Sequence, residues 1–291
     1  MSAPVMLLIF KRPDLITGQL ELLRQAKISQ LIVVSDGPRN PAEAELVAQT
    51  RKAIDRIDWP CEVIKEYSDV NMGIRKRAES GIDAAFRYFD RCIILEDDIF
   101  PRLSFFRYCE EMLDYYADDK RIWSVTSQLL AQTPSTHLVS RYSYYFSIFG
   151  SFWGWATWRR AWQAHDRAMH FWPQLKSMGW LRYMLNSRDE EEFYTNMFDE
   201  AHHGHLPNYD FAFYYSTWVN NGLHVVSSVN LCDNRGFRPD ATDCVVVPHW
   251  YQNVVFDEMT FPLSHPPVMI PSPAAREILR RQWMRLTSFH T

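Results

Sequence analysis

The stretch Cys92-Ile93-Ile94-Leu95-Glu96-Asp97-Asp98 decides the fold, because an apolar run ends directly in three consecutive carboxylates. Apolar side chains on both faces of a short strand are typical of a parallel sheet that helices cover on both sides. In open sheets of this kind, ligands bind beyond the carboxyl ends of the strands. The acidic triplet therefore marks the sheet edge at which a functional site is expected.

Further apolar runs in the first half of the chain alternate with helical patterns and extend this sheet. The predicted strands are Val5–Phe10, Leu31–Ser35, Glu62–Tyr67, Cys92–Leu95 and Ile122–Thr126, and the predicted helices are Asp14–Ala26, Pro41–Ile57, Arg75–Tyr88 and Ser104–Tyr116. Strands that alternate with helices predict an α/β fold with right-handed crossovers.

The second half of the chain loses this alternation. It is crowded with aromatic residues between Arg141 and Trp172, and it predicts an acidic helix over Arg188–Ala201 and one or two strands between Leu223 and Leu231. No clear linker separates the two halves, so we expect them to share one core.

Composition excludes several classes of protein. The 291 residues carry 31 Lys and Arg against 35 Asp and Glu, and this balance argues against a nucleic-acid-binding protein. No apolar run approaches the ~20 residues that span a bilayer, so a cytoplasmic protein is predicted. The 11 Trp, 14 Tyr and 18 Phe favour a sugar or nucleotide ligand, because aromatic faces stack on both.

Glycine-rich phosphate loops are absent from the sequence. Neither a G-x-G-x-x-G turn nor a G-x-x-x-x-G-K-[ST] loop occurs, which argues against a dinucleotide-dependent redox enzyme and a P-loop phosphotransferase.

The residues that follow the predicted strands carry the candidate chemistry. Clustered carboxylates repel one another, and a hard divalent cation such as Mg²⁺ or Mn²⁺ removes that repulsion and bridges to a diphosphate. The alternative is that Asp97 or Asp98 caps a helix or forms a surface ion pair. Arg12 offers a guanidinium fork to a phosphate. Asp36, followed by glycine, either accepts hydrogen bonds from a base or ribose or simply forms a turn.

Together with Ser35-Asp36-Gly37-Pro38 and Asn71-x-Gly73, the triplet resembles glycosyltransferases of the GT-A fold. More narrowly, the chain is similar to bacterial nucleotide-diphospho-sugar transferases, distant relatives of the N-acetylglucosaminyltransferase that begins complex N-glycan branching. The resemblance continues through Trp153-Gly154-Trp155-Ala156-Thr157-Trp158 and Asn220-Asn221-Gly222 to Asn230 and Gly236-Phe237. It reaches Phe261-Pro262-Leu263-x-His265-Pro266. It implies a Rossmann-like, mostly parallel sheet flanked by helices, with an aromatic-rich acceptor half.

The chain is expected to have three parts. Residues 1–128 form a nucleotide-sugar-binding half, residues 129–265 the acceptor and catalytic half of the same domain, and residues 266–291 a basic helical tail. A basic helix over Ala274–Leu286 suits an anionic membrane surface that holds a lipid-linked acceptor, at the inner face of the membrane. A partner or an intramolecular contact is the favoured alternative for this helix.

The resemblance also implies a role for each candidate site residue. Asp98 binds the metal, Glu96 and Asp97 contact the nucleotide side, Arg12 contacts a phosphate or the nucleotide, and Asp36 holds the uracil of UDP. The nucleotide pocket is shaped by Asn71, Gly73 and Arg77. Apart from the resemblance, the aromatic block Tyr142–Trp162 is expected to build the donor-sugar and acceptor pocket, with Trp153 and Trp155 as ligand contacts and Gly154 allowing the backbone close to a ligand. The alternative is that these aromatic residues fill the core, and we expect the block to do both. Asp243 stands where many relatives have a histidine, and an acid there can still ligate a hard cation.

Asp210 is the candidate catalytic base, because an inverting sugar transfer needs one proton acceptor on the acceptor side. It stands among aromatic residues that desolvate a carboxylate, and relatives place their base just ahead of the segment that matches Trp218–Leu223. The alternative is a carboxylate bonded to the neighbouring backbone. We therefore predict an inverting, metal-dependent hexosyl- or N-acetylhexosaminyltransferase that uses a nucleotide-sugar donor and a glycan or lipid-linked acceptor. A non-catalytic sugar- or nucleotide-binding module and a sugar nucleotidyltransferase are the alternatives.

Overall fold

The computed structural model describes residues 3–128, 141–239, 241, 246–249 and 251–277, and its main strands and helices are numbered in chain order. The strands are β1 (Val5–Ile9), β2 (Gln30–Ser35), β3 (Glu62–Tyr67), β4 (Arg91–Glu96), β5 (Ile99–Pro101), β6 (Ile122–Thr126), β7 (Tyr144–Ser147), β8 (Trp155–Trp158), β9 (Leu223–Ser227) and β10 (Cys232–Asn234). The helices are α1 (Pro13–Gln25), α2 (Pro41–Ala53), α3 (Ile74–Tyr88), α4 (Leu103–Tyr115), α5 (Arg159–Gln163), α6 (Trp172–Ser177), α7 (Leu181–Met184), α8 (Arg188–His202) and α9 (Asp210–Val219).

An eight-stranded mixed sheet organises these elements in the order β3-β2-β1-β4-β8-β6-β9-β7. Strands β1 to β4 are mutually parallel, and β6 and β9 run in the same direction. Strands β8 and β7 run against them. The expected α/β class with a mostly parallel sheet is therefore confirmed.

Each face of the sheet is covered by its own hydrophobic core, because side chains alternate between the two faces along a strand. On β1, Leu7 packs into the core that contains residues of α1 and α4. Its neighbours Met6 and Leu8 pack into the other core, with residues of α3 and α9. This arrangement explains why the strand is apolar at every position and why helices flank both faces.

Strand β8 was not expected from the sequence, and it changes the centre of the sheet. It inserts between β4 and β6 and pairs antiparallel with both, so that Trp155 lies opposite Ile94 and Thr126. Strand β10 forms a second, two-stranded antiparallel sheet with β5, directly after the acidic triplet. Both additions place residues of the second half against the strand that carries the acids.

The described part of the chain holds no helix with the length and apolar character that crossing a membrane requires.

Two buried histidines link the stability of this core to pH. His224 on β9 is 0% exposed and its Nδ1 lies 2.7 Å from Ser124 Oγ, whereas His165 Nδ1 lies 3.0 Å from Ser216 Oγ. Burial lowers the pKa of each imidazole to about 3, because the charged form loses its hydration. In the unfolded chain a histidine titrates near pH ~6.5. Between these two values the unfolded chain binds more protons, so acid favours unfolding.

We therefore expect each buried histidine to lower the free energy of unfolding by about 2 kcal/mol on acidification from pH 7 to pH 5. The raised pKa values of the buried Asp97 and Glu96 act in the opposite direction, so a comparison of variants isolates the histidine contribution. Urea unfolding at several pH values measures this. His224→Gln, which does not titrate, should lose about 2 kcal/mol less stability than the wild type over this pH range. His205→Gln, at an exposed position, is the control. Equal pH slopes for His224→Gln and the wild type would contradict the assignment.

Candidate functional site

A cleft of about 420 Å³ lies at the carboxyl ends of β1, β2 and β4. Most of the predicted site residues line it, namely Arg12, Asp36, Asn71, Gly73, Arg77, Glu96, Asp97, Asp98 and Trp153. Residues of the second half complete its wall, and these are Pro207, Asn234, Gly236, Phe237 and Ala241. A larger and more open hollow of about 830 Å³ lies beside α7 and α8 and contains none of the predicted residues.

Arg12 joins two of the three acids across the cleft. Strands β1 and β4 are neighbours, so the residues that follow them meet at the sheet edge. Arg12 Nη1 lies 2.8 Å from Asp97 Oδ1 and 2.7 Å from Asp98 Oδ2. The backbone N–H of Phe10 donates to Asp97 Oδ2 at 3.1 Å. One guanidinium nitrogen therefore binds both carboxylates. The alternative of an ion pair is thus correct for Asp97 and Asp98, but this ion pair lines the cleft and does not lie on the open surface.

Burial and crowding shift the protonation of the triplet. Burial, with the nearby charge of Asp98, raises the pKa of Asp97 to about 6 against the opposing effect of Arg12. Burial also raises the pKa of Glu96 well above its usual range, and the charges of Asp98 and Asp210 add to this effect. Burial opposes the charged form of Arg12, yet Asp97 and Asp98 raise its pKa above the usual value. The cluster thus favours a positive charge beside it.

The loop that follows β10 packs directly on Asp98. The backbone N–H of Arg235 donates to the Asp98 carbonyl oxygen at 2.8 Å, and that of Gly236 donates to Asn234 Oδ1 at 2.7 Å. A Cβ atom at Gly236 would lie 2.1 Å from Asp98 Oδ2, so only glycine fits against this carboxylate. Sequence reasoning assigned Gly236 no role. The only signal for it was its place, next to Phe237, in the segment that resembles the transferases.

Asp36 holds the loop before α3 in place. Its carboxylate accepts hydrogen bonds from the backbone N–H groups of Gly37, Met72 and Gly73 at 3.0, 2.9 and 3.0 Å. It also accepts one from Asn71 Nδ2 at 3.0 Å. Gly73 has φ +78°, a conformation that favours glycine, and ends the loop at the start of α3. The side chain thus positions the loop, and its contact with uracil stays a prediction.

Arg77 on α3 presents a buried cation to the cleft. It is 7% exposed, its Nη1 donates to Ser80 Oγ at 3.0 Å, and its Nη2 donates to the Glu66 carbonyl oxygen. Burial lowers the pKa of this guanidinium, against the charges of Asp36 and Glu66. Its buried Nε has no hydrogen-bond partner among the described residues. An anionic ligand in the cleft would compensate this charge.

Two of the predicted aromatic-block contacts are corrected by the structure. Trp155 is 0% exposed and packs against Phe152 and Phe213 at ring distances of 5.2 and 5.3 Å, so it is a core residue and not a ligand contact. A Cβ at Gly154 would lie 2.5 Å from Cys232 Sγ, so this glycine, just before β8, allows close packing on β10 rather than contact with a ligand.

Trp153 lines the cleft, and its contact with a ligand stays a prediction. Its ring lies 5.8 Å from that of Phe237 and 5.9 Å from that of Tyr251, both edge to face. The Trp153 carbonyl oxygen accepts a hydrogen bond of 2.6 Å from Ser127 Oγ, which fixes the turn into β8. The second half therefore contributes an aromatic wall to a cleft whose other walls come from the first half.

Asp210 is the first residue of α9 and lies close to the acidic triplet. It is half-buried, and its charge acts on Glu96 strongly enough to help raise the pKa of that residue beyond the effect of burial. Pro207, one turn earlier, lines the cleft. The adjacent Tyr209 is buried, with its ring 6.2 Å from that of Trp155. The structure thus brings Asp210, from the second half, close to Glu96, from the first half. The role of Asp210 as a base stays a prediction.

The described side chains do not form a metal centre by themselves. Within the described ranges, no group of three or more His, Cys, Asp or Glu residues is arranged to hold a metal ion. Both Asp97 oxygens and Asp98 Oδ2 already accept hydrogen bonds. Asp243 lies outside the described residues, as does most of the basic helix predicted over Ala274–Leu286. The Mn²⁺ or Mg²⁺ ion therefore stays a prediction that these residues do not support.

Comparison with known proteins leaves the family open. No protein-family model and no curated protein matches the chain. A solved structure of UDP-glucose pyrophosphorylase complexed with UDP-glucose is similar with a TM-score of 0.30 and 10% identity, over 55% of this chain and 78% of that chain. So distant a likeness carries no argument, and the fold class rests on the sheet described above.

The Gly236 contact predicts the effect of a single added methyl group. Gly236→Ala should displace the Asp98 carboxylate and weaken the binding of UDP, the expected nucleotide, by about tenfold, which is about 1.4 kcal/mol. Isothermal titration calorimetry with UDP measures this. Gly179→Ala is the control, since a Cβ there meets no atom within 4 Å and its backbone also has a positive φ. Unchanged affinity in Gly236→Ala would contradict the role of this contact.

The two tryptophans of the block should respond differently to truncation. Trp155→Ala leaves a cavity in the core and should lower the free energy of unfolding by about 3–5 kcal/mol. Trp153→Ala, at a half-buried position on the cleft, should cost less stability and instead weaken UDP-sugar binding. Chemical denaturation and calorimetry of both variants test this pair. A loss below about 1 kcal/mol in Trp155→Ala would show that the side chain is not the core residue described.

Proposed function

We propose that this protein is an inverting glycosyltransferase that uses a nucleotide-sugar donor, with UDP as the favoured nucleotide, and a glycan or lipid-linked hydroxyl as acceptor. One observation carries the proposal. A single cleft at the carboxyl edge of the sheet gathers the acidic triplet, a guanidinium bound to it and an aromatic wall, and Asp210 approaches from the other half. Ligands of open α/β sheets bind at this edge.

Positive side chains in the cleft suit a diphosphate. Arg12 and Arg77 line it, and Lys11 and Arg39 lie at the same wall, where both are paired with Glu43. Guanidinium groups bind phosphate oxygens through two parallel hydrogen bonds. The loop held by Asp36 forms the neighbouring wall and would receive the base. These residues support a nucleoside diphosphate as the leaving part of the donor.

In the proposed sugar transfer, each of these groups has one step. The acceptor hydroxyl gives its proton to Asp210, and its oxygen forms a bond to the anomeric carbon. The bond between that carbon and the diphosphate oxygen breaks on the opposite face, and its electron pair leaves with the diphosphate. Arg12 stabilises the charge that develops there, since a positive group fixed near a leaving anion lowers the barrier. Trp153 and Phe237 offer an aromatic face to a sugar ring.

Replacement of the proposed base separates binding from transfer. Asp210→Asn should bind UDP and the donor with near wild-type affinity but lose about 10²–10⁴-fold in turnover, because only proton abstraction is removed. Steady-state kinetics and calorimetry on the same preparation measure both. Asp189→Asn is the matched control, since Asp189 is an exposed acid in the first turn of α8. Near-normal turnover in Asp210→Asn would exclude Asp210 as the base.

Incubation with a panel of nucleotide sugars distinguishes the proposal from its alternatives. A transferase releases UDP slowly to water in the absence of an acceptor. A sugar nucleotidyltransferase instead forms UTP when pyrophosphate is added, and a non-catalytic binding module does neither. Chromatography of the nucleotides separates the three outcomes, and only UDP release supports glycosyl transfer.

A further inference from the structure

Arg12 lies between two carboxylates, at the position where a cation that neutralises both of them would bind. Its Nη1 alone makes both ion pairs, at 2.8 Å to Asp97 and 2.7 Å to Asp98. Its side chain is 13% exposed and lines the cleft. Neither Nε nor Nη2 makes a hydrogen bond to the part of the chain that the structure describes. A guanidinium held by one nitrogen thus keeps its other donors for a ligand.

The carboxylates themselves leave little room for a metal ion. Asp97 uses one oxygen for Arg12 and the other for the backbone N–H of Phe10. Asp98 uses Oδ2 for Arg12, and Gly236 packs against that same oxygen. Asp98 Oδ1 is the one oxygen of this pair that accepts no hydrogen bond from the described residues. In the described residues, the positive charge that bridges the acids is Arg12.

We propose that Arg12 takes the part of the divalent cation, so that the protein binds a nucleoside diphosphate without a metal ion. Arg12 Nη1 keeps its hydrogen bonds to Asp97 and Asp98, while Nε and Nη2 donate hydrogen bonds to the phosphate oxygens. A guanidinium is always charged at physiological pH, and its planar fork matches a phosphate in two hydrogen bonds. The two carboxylates hold the fork in one orientation before the ligand arrives, which reduces the ordering cost of binding.

This inference rests on the proposed function, because it concerns the diphosphate of the same donor. The direct test uses the wild-type protein and titrates UDP, GDP and ADP by calorimetry, once in EDTA and once in Mn²⁺. Affinities that agree within about threefold between the two buffers support the inference. A stronger dependence on Mn²⁺ overturns it and leaves the glycosyltransferase proposal intact. Absence of binding for all three nucleotides and for UDP-sugars, in both buffers, overturns both.

Variants of Arg12 identify the group responsible. In EDTA, Arg12→Gln should weaken UDP binding by more than about thirtyfold, and Arg12→Lys, which keeps the charge but loses the fork, by about tenfold. Arg24→Gln is the matched control, because Arg24 lies on α1 with its ion pairs to Glu21 and Asp58, away from the cleft. Circular dichroism and thermal unfolding confirm that each variant is folded. Wild-type affinity in Arg12→Gln overturns the inference.

Discussion

The ion pair of Arg12 with Asp97 and Asp98 is the contact on which the rest of the site depends. Two unit charges of the same sign about 4 Å apart repel each other by about 4 kcal/mol at an effective dielectric constant of 20. That energy is comparable with the whole stability of many domains, which is about 5–15 kcal/mol. Strands β1 and β4 are adjacent, so Arg12, which follows β1, can neutralise Asp97 and Asp98, which follow β4. The two acids can therefore lie together in the wall of the cleft.

Much of the first half could be predicted from the sequence, because most of its strands are short apolar runs that alternate with helical patterns. The strands predicted as Leu31–Ser35 and Glu62–Tyr67 are observed as Gln30–Ser35 and Glu62–Tyr67. Strand β8 could not be predicted in the same way. Its four residues lie in an aromatic stretch without alternation, and its place between β4 and β6 depends on pairing over a long distance in the chain.

The lining of the cleft was predictable where it consists of residues within three positions of a strand's end, as Arg12, Asp36 and Asp98 are. It was less predictable where packing decides. Trp153 lies on the cleft and Trp155 lies in the core. The sequence alone does not distinguish them, because both are tryptophans in the same aromatic stretch. The fit of Gly236 against Asp98 also needs coordinates, since the contact joins residues far apart in the chain.

The placement of β8 has a consequence for how the protein is made. Strand β4 has β1 on one side, but its other neighbour is β8, which the ribosome synthesises much later. Until then, a nascent chain exposes the acid-bearing strand as an open edge, and such edges invite pairing with other chains. Pairings between distant segments also form slowly, since a long loop must close first. The sheet edge that carries the acids is therefore completed late in folding, and a prematurely terminated chain would carry the acids without the strand that secures them.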